Sequence, residues 1–485
     1  MAKKQQINRS STNCTLIIKG SFRAAFFLPI PMKGIFQTLT LLLVPALLMG
    51  QVPIQGPIKI SENKRFFTQH DGSPFFWMAD TAWELFHRTN REEADYYLTI
   101  RAKQGFNVVQ AVALAEIDGL NDPNSYGEVP FQNVESLSFN QKYWEHVDYI
   151  IDLAAEKGIH IALLPTWGDK LFKDSWGVGP EIFSKENAEQ FGELIGARYA
   201  DKKNLIWVLG GDRNPRKDFE DVEIWNRMAK GIKSHSNKNN PILMTFHPQP
   251  NRPGGSSTWF HQEKWLDFNM HQTGHCPNQP TYRIISHDYG LNPTKPTLDG
   301  EPLYEEHPNC FNAKELGYSN PDDIRRIMYW NVFAGGAGQT YGCHAVWQMY
   351  TLDKKPINGP LKPWQKSLEL PMANQVKHLK NLMLSKSYFN RIPDFGLVKS
   401  KQEDDEHFVI GTRDTAGTYA MIYFPSGRET ELDFSILVNN KIKAEWFDPR
   451  TGVKFPYTGN ELTKGKNRVL PPSQGKGNDW VLIVN

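Results

Sequence analysis

Residues 204–215 read NLIWVLGGDRNP, and this stretch decides the fold that the rest of the chain is expected to adopt. Its first six residues are rich in large apolar and β-branched side chains, which is typical of a buried strand. Two glycines end that strand, and Asp212 follows at once. Residues 297–301 (TLDGE) repeat the pattern and end at Glu301. A buried strand that ends in a carboxylate is how an α/β barrel presents a catalytic group at its carboxyl face.

The segments around these two stretches alternate between strand and helix patterns. In one clear case Asn90 is the expected N-cap of a helix over residues 91–104, and Gly105 is its expected end. Strand and helix patterns alternate about eight times over residues 74–385, which predicts a (β/α)₈ TIM barrel. A doubly wound open sheet is the structural alternative, but no glycine-rich phosphate loop follows the first strand.

The sequence pattern changes at Pro393. Short β-rich runs separated by Gly, Pro, Asn and Asp turns fill the remainder, and helical periodicity is absent. This pattern predicts a small antiparallel β-sandwich. We therefore expect residues 51–392 to form the barrel and catalytic domain, and residues 393–485 to form an accessory domain that is structural rather than catalytic.

The first 50 residues look like a signal for export. Met32 and Lys33 supply a positive start, an apolar run follows over residues 35–49, and cleavage is expected before Gln51. We interpret residues 1–31 as an extension upstream of the true start. A membrane anchor is the alternative, but the apolar run is short for a span, so we predict no stable membrane insertion. The export signal predicts a protein found outside the cytoplasm.

Composition excludes some partners and leaves others open. The formal net charge is +2 and no basic stripe is present, which argues against nucleic acid as a partner. The 14 Trp fit either core packing or stacking on sugar rings. Three cysteines (Cys276, Cys310 and Cys343) follow the expected cleavage site, and this odd number implies no full disulfide framework. No cofactor is predicted, and we expect a monomer.

Asp212 and Glu301 are the candidate catalytic residues. Glycosidic-bond cleavage needs one carboxyl group that protonates the leaving oxygen and a second that attacks the anomeric carbon or activates water. Both residues stand at expected strand ends, the fourth and the seventh, which meet across a barrel mouth. In the alternative reading Asp212 caps the next helix and Glu301 pairs with a basic residue such as Arg213. Glu305 and Glu306 are the rival carboxylates.

Other expected strand ends carry side chains suited to sugars. Carboxylates, amides and imidazoles hydrogen-bond to sugar hydroxyls, and indoles stack on sugar C–H faces, although capping or core packing is as ordinary a role. The candidate substrate-binding residues are Asp80, Trp83, Trp167, Asp169, His247, His271, Gln272 and Trp347. His344, which follows the last expected strand, is a further candidate. Long aromatic loops with Tyr126, Trp176 and Trp259 are expected to close the mouth into a pocket for one terminal sugar.

Two other chemistries are disfavoured by the sequence. His271 and His275 stand four residues apart, as a metal pair could, but they follow a strand and lack an HExxH helix, so no metal site is predicted. No Gly-x-Ser-x-Gly elbow is present in the sequence, which argues against an esterase of the α/β-hydrolase type.

Three stretches also resemble a known family. GSPFFWMADTAWELF (residues 72–86), IWVLGGDRNP (206–215) and TLDGEPLYE (297–305) resemble the apiosidase-like glycoside hydrolases, bacterial enzymes with a (β/α)₈ barrel. EWFDPRTG (445–452) resembles the signature of their C-terminal β-domain, which is named for collagen binding. The resemblance implies removal of apiose from galacturonic acid in rhamnogalacturonan II, a pectin.

The same resemblance assigns the family's Asp and Glu to Asp212 and Glu301. It differs from the wider clan of retaining barrels at one point: the Asn-Glu pair expected after the fourth strand is Gly211-Asp212 here. The leading hypothesis is therefore an exported bacterial exo-glycosidase of the periplasm or cell surface that acts on plant cell-wall oligosaccharides. The alternatives are a non-catalytic carbohydrate- or collagen-binding protein and a transglycosylase on the same scaffold.

Overall fold

The computed structural model of the protein describes residues 52–174 and 176–485, so the expected signal peptide and upstream extension lie outside it. Its larger, N-terminal part is built on eight parallel strands whose residues are all buried. In chain order they are β1 (Trp77–Thr81), β2 (Val108–Leu114), β3 (His160–Thr166), β4 (Leu205–Gly210), β5 (Met244–His247), β6 (Asn269–Gln272), β7 (Thr297–Glu301) and β8 (Gly338–Tyr341).

Six of these strands form one sheet in the order β5–β4–β3–β2–β1–β8, and β6 and β7 form a separate parallel pair. Single backbone hydrogen bonds cross the two remaining gaps. The Asp267 amide donates to the Met244 carbonyl (2.8 Å), and the Ala337 amide donates to the Thr297 carbonyl (2.9 Å). The curled parallel sheet and its intervening helices fit the TIM-barrel-like fold that the sequence predicts.

Helices connect successive strands of this sheet. The α-helices of the described residues are Leu85–Arg88, Arg91–Gln104, Gln141–Glu156, Ala188–Arg198, Asp221–Lys233, Ser257–Phe260, Thr281–Tyr289, Ala313–Leu316, Pro321–Phe333, His344–Trp347, Trp364–Ser367 and Pro371–Leu384. None of these described helices is long and apolar enough to span a membrane. The helix after β1 begins and ends where the sequence predicts: Asn90 and Glu93 cap each other's amides, and Gly105 ends it at φ 96°.

The segment before β1 differs from the sequence-based expectation. The sequence pattern predicts one edge strand over residues 58–69 and a buried strand over residues 74–79. The structure instead has a small antiparallel sheet of two-residue strands, Lys59–Ile60, Phe67–Thr68 and Pro74–Phe75, and β1 begins only at Trp77. The expected edge strand is interrupted because Asn63 Oδ1 accepts from the Ser61 hydroxyl and the Arg65 amide, which makes a local turn.

The C-terminal part is antiparallel, as the sequence predicts. Its strands are β9 (Arg391–Pro393), β10 (Ile410–Asp414), β11 (Ala420–Phe424), β12 (Thr430–Asp433), β13 (Ala444–Phe447), β14 (Lys454–Pro456), β15 (Lys466–Val469) and β16 (Trp480–Val484). Six of them form one sheet in the order β9–β10–β11–β16–β13–β14, and β12 pairs with β15. Side chains of both sheets share one apolar cluster.

A buried contact joins this part to the helix Pro321–Phe333 of the larger, N-terminal part. The guanidinium of Arg325 donates to both carboxylate oxygens of Asp479 at 2.7 Å, and both side chains are almost fully buried. Nearby, the Trp330 indole N–H donates to the Phe408 carbonyl (2.8 Å). Because a buried ion pair requires both partners in place, the two parts support each other's folded state.

Candidate active site

A cavity of about 480 Å³ opens at the carboxyl ends of the parallel strands. Its lining residues come from the segments that follow these strands, which is where enzymes of this architecture place their catalytic groups. They are Trp83, Glu116, Trp167, Trp176, Asp212, Pro250, Gln272, Gly274, His275, Glu301, Tyr304, His307, Phe311, Trp347, Ile357 and Asn358. Both carboxylates that the sequence singles out lie in this one cavity.

Asp212 reaches the cavity through a tight turn at the end of β4. Gly210, Gly211 and Asp212 all have positive φ, at 87°, 106° and 52°. A Cβ on Gly211 would lie 2.8 Å from the Trp167 ring, so only glycine fits the turn there. Asp212 Oδ2 accepts a hydrogen bond from the Trp176 indole N–H at 2.6 Å. Its Oδ1 is buried and has no partner among the described residues, so it is free to meet a ligand.

Glu301, the last residue of β7, lies between two imidazoles. His247 Nε2 is 3.1 Å from its Oε2, and His275 Nε2 is 3.2 Å from its Oε1. His247 Nδ1 accepts the Asp212 backbone N–H at 3.4 Å, which places the ring proton on Nε2, the nitrogen that lies 3.1 Å from Glu301 Oε2. His247 thus lies between the turn that carries Asp212 and the carboxylate of Glu301.

This environment separates the pKa values of the two carboxyl groups. Burial and then the negative charge of Glu301 raise the pKa of Asp212 to about 6. Burial also opposes ionisation of Glu301, but hydrogen bonds from His247 and His275 outweigh it and lower the pKa of Glu301 to about 2. Between these values one group holds a proton and the other is ionised, which is the state that acid-assisted nucleophilic attack requires.

Aromatic side chains form much of the cavity wall. The Trp83 and Trp167 rings lie 5.2 Å apart between centroids, and the Trp83 indole N–H donates to the Tyr304 hydroxyl at 3.2 Å. Trp176 and Trp347 also line the cavity. Indole faces beside a few polar groups suit a sugar ring, whose C–H faces are apolar and whose hydroxyls are polar.

The structure brings most of the predicted sugar-contacting residues together. Trp83, Trp167, Gln272 and Trp347 line the cavity with the two carboxylates, and the Gln272 amide oxygen has no partner among the described residues. His247 lies behind Glu301 and does not line the cavity, so it contacts the carboxylate and not the cavity space.

Asp80 does not reach the cavity, contrary to expectation. It lies within β1 and is fully buried, and its Oδ2 accepts from the Tyr97 hydroxyl and from Arg101 Nε, both at 2.6 Å. Both partners belong to the helix Arg91–Gln104. The carboxylate therefore joins a strand to the helix outside it.

Asp169 and His271 are also engaged in the protein interior. The Asp169 carboxylate accepts from Lys170 Nζ at 2.7 Å and from two backbone amides of the following loop. His271 Nε2 lies 3.0 Å from Asp288 Oδ2, while His275 faces Glu301, so the two histidines do not share a site. Neither Asp169 nor His271 lines the cavity.

The rival carboxylates Glu305 and Glu306, and Arg213 as the basic residue that could pair with Glu301, all have other partners. Glu305 accepts from the Tyr341 hydroxyl at 2.7 Å, and burial raises its pKa to about 7. Glu306 pairs with Lys362 at 2.8 Å. Arg213 donates only to backbone carbonyls among the described residues, so it does not neutralise Glu301. None of these side chains lines the cavity.

Of the three loop aromatics, only Trp176 lines the cavity. The Tyr126 hydroxyl accepts the Arg91 amide at 3.0 Å, and Trp259 lines a separate surface groove. The expected closure of the mouth by all three loops is therefore wrong for these two residues. The same two loops still reach the cavity through other residues, Glu116 and Pro250.

Sequence reasoning missed several residues of the site. Glu116 stands two residues after β2, lines the cavity and is half-buried. It has no hydrogen-bond partner among the described residues. Burial, and then the negative charge of Asp212, raise the pKa of Glu116 well above its usual range. The strand-end rule that selected Asp212 applies equally to Glu116 and could have found it. His275 was weighed only as a metal ligand, and Tyr304 and His307 gave no signal of their own.

A disulfide that the sequence analysis did not predict borders the cavity. Cys276 and Cys310 are bonded, which ties the segment after β6 to the segment after β7. Cys343 is free and buried. Within the described residues, no group of three or more His, Cys, Asp or Glu side chains is arranged to hold a metal ion.

Comparison with known proteins gives matches over both parts of the chain. Residues 61–390 match the family model described as "Apiosidase-like, catalytic domain". Residues 392–485 match the model described as "Putative collagen-binding domain of a collagenase". No protein with curated function gave a significant match.

Two solved structures are similar over nearly their whole length. One, described as a glycoside hydrolase, is 34% identical with a TM-score of 0.80 and covers 89% of this chain and 98% of its own. The other, described as a glycoside hydrolase family 5 protein from Bacteroides vulgatus ATCC 8482, is 32% identical with a TM-score of 0.80. It covers 90% of this chain and 95% of its own.

Proposed function

The chain belongs to the apiosidase-like glycoside hydrolases, and on that premise we propose that it is an exo-acting, retaining glycosidase with Asp212 as general acid/base and Glu301 as nucleophile. One observation carries the proposal: a protonatable carboxyl group and an ionised one share a single aromatic-walled cavity. The family implies apiose as the terminal sugar and galacturonic acid of rhamnogalacturonan II as its neighbour.

The proposed chemistry has two steps. In the first, Glu301 attacks the anomeric carbon and forms a glycosyl ester, while Asp212 gives its proton to the departing oxygen. In the second, the Asp212 carboxylate takes a proton from water, and the water oxygen displaces Glu301 from the sugar. The hydrogen bond from Trp176 to Asp212 Oδ2 leaves Oδ1 as the oxygen that exchanges the proton with substrate.

The size of the cavity supports action on a chain end. A volume of about 480 Å³ lies within the usual range for small-ligand pockets, roughly 300–1,000 Å³. Trp176 and Phe311 line this cavity from opposite strand ends, after β3 and β7. We therefore propose that one terminal sugar enters and that the remaining oligosaccharide of the plant cell wall stays outside.

We also propose export to the periplasm or cell surface of a bacterium, as a monomer. Disulfides persist in oxidising compartments, so the Cys276–Cys310 bond supports a location outside the cytoplasm. We further infer that the eight parallel strands close into a barrel, which the hydrogen bonds across both gaps support. The apolar cluster shared by the two C-terminal sheets supports a β-sandwich with an accessory role.

The test compares two substitutions that keep shape and remove an ionisable group. On an aryl glycoside with a good leaving group, Asp212→Asn should retain the first step, because protonation is then hardly needed, and azide should restore turnover. Glu301→Gln should lose the first step. On a natural oligosaccharide Asp212→Asn should lose ~10²–10⁴-fold in kcat. Glu306→Gln is the matched control, since its carboxylate pairs with Lys362 outside the cavity.

Three results would contradict these assignments. Full activity of either variant would remove that residue from the mechanism. A first step that survives in Glu301→Gln and fails in Asp212→Asn would reverse the two roles. Absence of sugar release from every oligosaccharide by the unaltered protein would favour the non-catalytic binding protein.

A further inference from the structure

His275 is held in place from several sides, although it follows β6 in a segment without regular structure. We propose that the Cys276–Cys310 disulfide is a positioning element that fixes His275 against Glu301 and thereby keeps the nucleophile ionised. This inference rests on the proposed role of Glu301. It assigns His275, His307 and the disulfide a common task that the family match does not assign.

The backbone around His275 is tied on both sides. Cys276 follows it directly and is bonded to Cys310, and the Cys310 amide donates to the His275 carbonyl at 2.7 Å. On the other side, the Thr273 amide donates to the Glu301 carbonyl at 3.1 Å. The segment that carries His275 is therefore attached at two places. Thr273 connects it to the end of β7, and Cys276 connects it to the loop after β7.

The imidazole ring of His275 is also packed between aromatic rings. His307 stacks on it with 4.2 Å between centroids and an 18° angle between planes. Phe311, next to Cys310, lies edge-on to both rings, at 5.5 Å from His275 and 4.9 Å from His307. Phe311 is 62% exposed, so its side chain is packed on few sides; its backbone is held by the adjacent disulfide and by the hydrogen bond from its amide to the Pro308 carbonyl (2.9 Å).

The bonded loop adopts a conformation that a free chain rarely adopts. Cys310 and Phe311 both have positive φ, at 51° and 62°, in the left-handed region that non-glycine residues disfavour. Such a conformation persists only where surrounding contacts impose it. Cleaving the disulfide removes the covalent contact, so we expect the 310–311 segment to relax and His275 to leave Glu301.

The expected consequence concerns ionisation of Glu301. His247 and His275 favour its charge, and burial, Asp212 and the other acidic groups oppose it. Losing one of two imidazole contacts should raise the pKa of Glu301 by roughly 1–3 units. The groups that face Glu301 from the surrounding elements are His247, His275, Tyr304, Asp212 and Glu116. Only His275 among them depends directly on the disulfide.

The test is the double substitution Cys276→Ser with Cys310→Ser, and its readout is the acid limb of kcat/KM against pH. We expect the limb to move to higher pH by roughly 1–3 units, with KM at pH 6 nearly unchanged. Dithiothreitol, whose two thiols become a cyclic disulfide as the protein bond becomes two thiols, should cause the same shift in the unaltered protein. Both cysteines are half-buried, so the reductant can reach them.

Two controls separate positioning from simple stabilisation. Cys343→Ala keeps the disulfide and should respond to dithiothreitol as the unaltered protein does. His275→Ala should shift the limb equally and should not add to the double substitution. A double variant with a lower unfolding temperature and an unchanged pH profile would overturn the proposal and leave the disulfide as a stabiliser of its 34-residue loop.

A measurement without turnover keeps this inference separate from the proposed function. In protein labelled with ¹³C at glutamate carboxyl groups, the Glu301 signal is identified by its loss in Glu301→Gln. Its titration midpoint should rise on reduction of the disulfide. An unchanged midpoint would overturn the inference even in an active enzyme, and a raised midpoint would support it even if no tested glycoside were cleaved.

Discussion

Asp80→Asn tests whether a carboxylate at a strand end binds sugar or holds the scaffold together. The structure assigns it to the scaffold: Asp80 and Arg101 are both fully buried, and the carboxylate accepts from Arg101 Nε and the Tyr97 hydroxyl at 2.6 Å. An asparagine in its place leaves the guanidinium charge without a counter-charge inside the protein. Breaking a buried pair in this way costs about 3–5 kcal/mol of unfolding free energy.

An exposed ion pair of Asp95, which lies on the same helix as Arg101, provides the matched control. Asp95 pairs with Lys157 at 2.7 Å, but its side chain is 51% exposed. Exposed pairs are typically worth about 0–1 kcal/mol, so Asp95→Asn should hardly change stability. The same Asp-to-Asn substitution should therefore lower the free energy of unfolding strongly at the buried Asp80 and hardly at all at the exposed Asp95.

The assay is urea-induced unfolding, with KM for an aryl glycoside measured on the folded variants. Asp80→Asn should unfold at a clearly lower urea concentration than Asp95→Asn, and its KM below the transition should match that of the unaltered protein. Equal stability of the two variants, together with a raised KM for Asp80→Asn, would refute the reasoning and restore Asp80 as a sugar ligand.

Four further predictions concern the pH profile, Trp176, Asp479 and the C-terminal part. The profile of kcat/KM should be flat between about pH 2 and pH 6, because Glu301 becomes protonated below this range and Asp212 loses its proton above it. An optimum above pH 8 would contradict these assignments. Trp176→Phe removes a donor that favours the charged form of Asp212, so the pKa of Asp212 should rise and the basic limb should move to higher pH, as initial rates against pH would show. Asp479→Asn should lower the free energy of unfolding by less than the about 3–5 kcal/mol of a fully broken buried pair, because the buried Arg325 keeps the Asp322 carboxylate at 2.9 Å. A fragment ending at residue 392 should be insoluble. A soluble, fully active fragment would show that the C-terminal part is dispensable.

The elements whose signals are local could be predicted from the sequence. The helix Arg91–Gln104 was predicted with correct ends, because its N-cap Asn90 and the glycine after it act within one turn. The strand before Asp212 was equally clear, since glycines mark its end and its residues are apolar. The family resemblance rests on the same local stretches, and the family match confirms it.

The partners of buried polar groups could not be predicted. Asp80 lies near the end of an apolar strand and Asp212 lies two residues after one, yet Asp80 meets Arg101 and Asp212 meets a cavity. The difference lies in which way each side chain points and in residues of other elements, and neither is encoded nearby in the sequence. The disulfide escaped prediction for the same reason, because an odd cysteine count does not say which two residues meet.

The left-handed turn at residues 210–212 also explains which acid stands at its end. Short polar residues such as Asp and Asn tolerate φ near 52° better than longer ones, because their side chains can hydrogen-bond locally. A glutamate there would combine an unfavourable backbone with a longer reach into the space that the substrate needs. Gly211 and Asp212 therefore act together in this chain: the glycine permits the left-handed turn, and the turn places a short acid in the cavity.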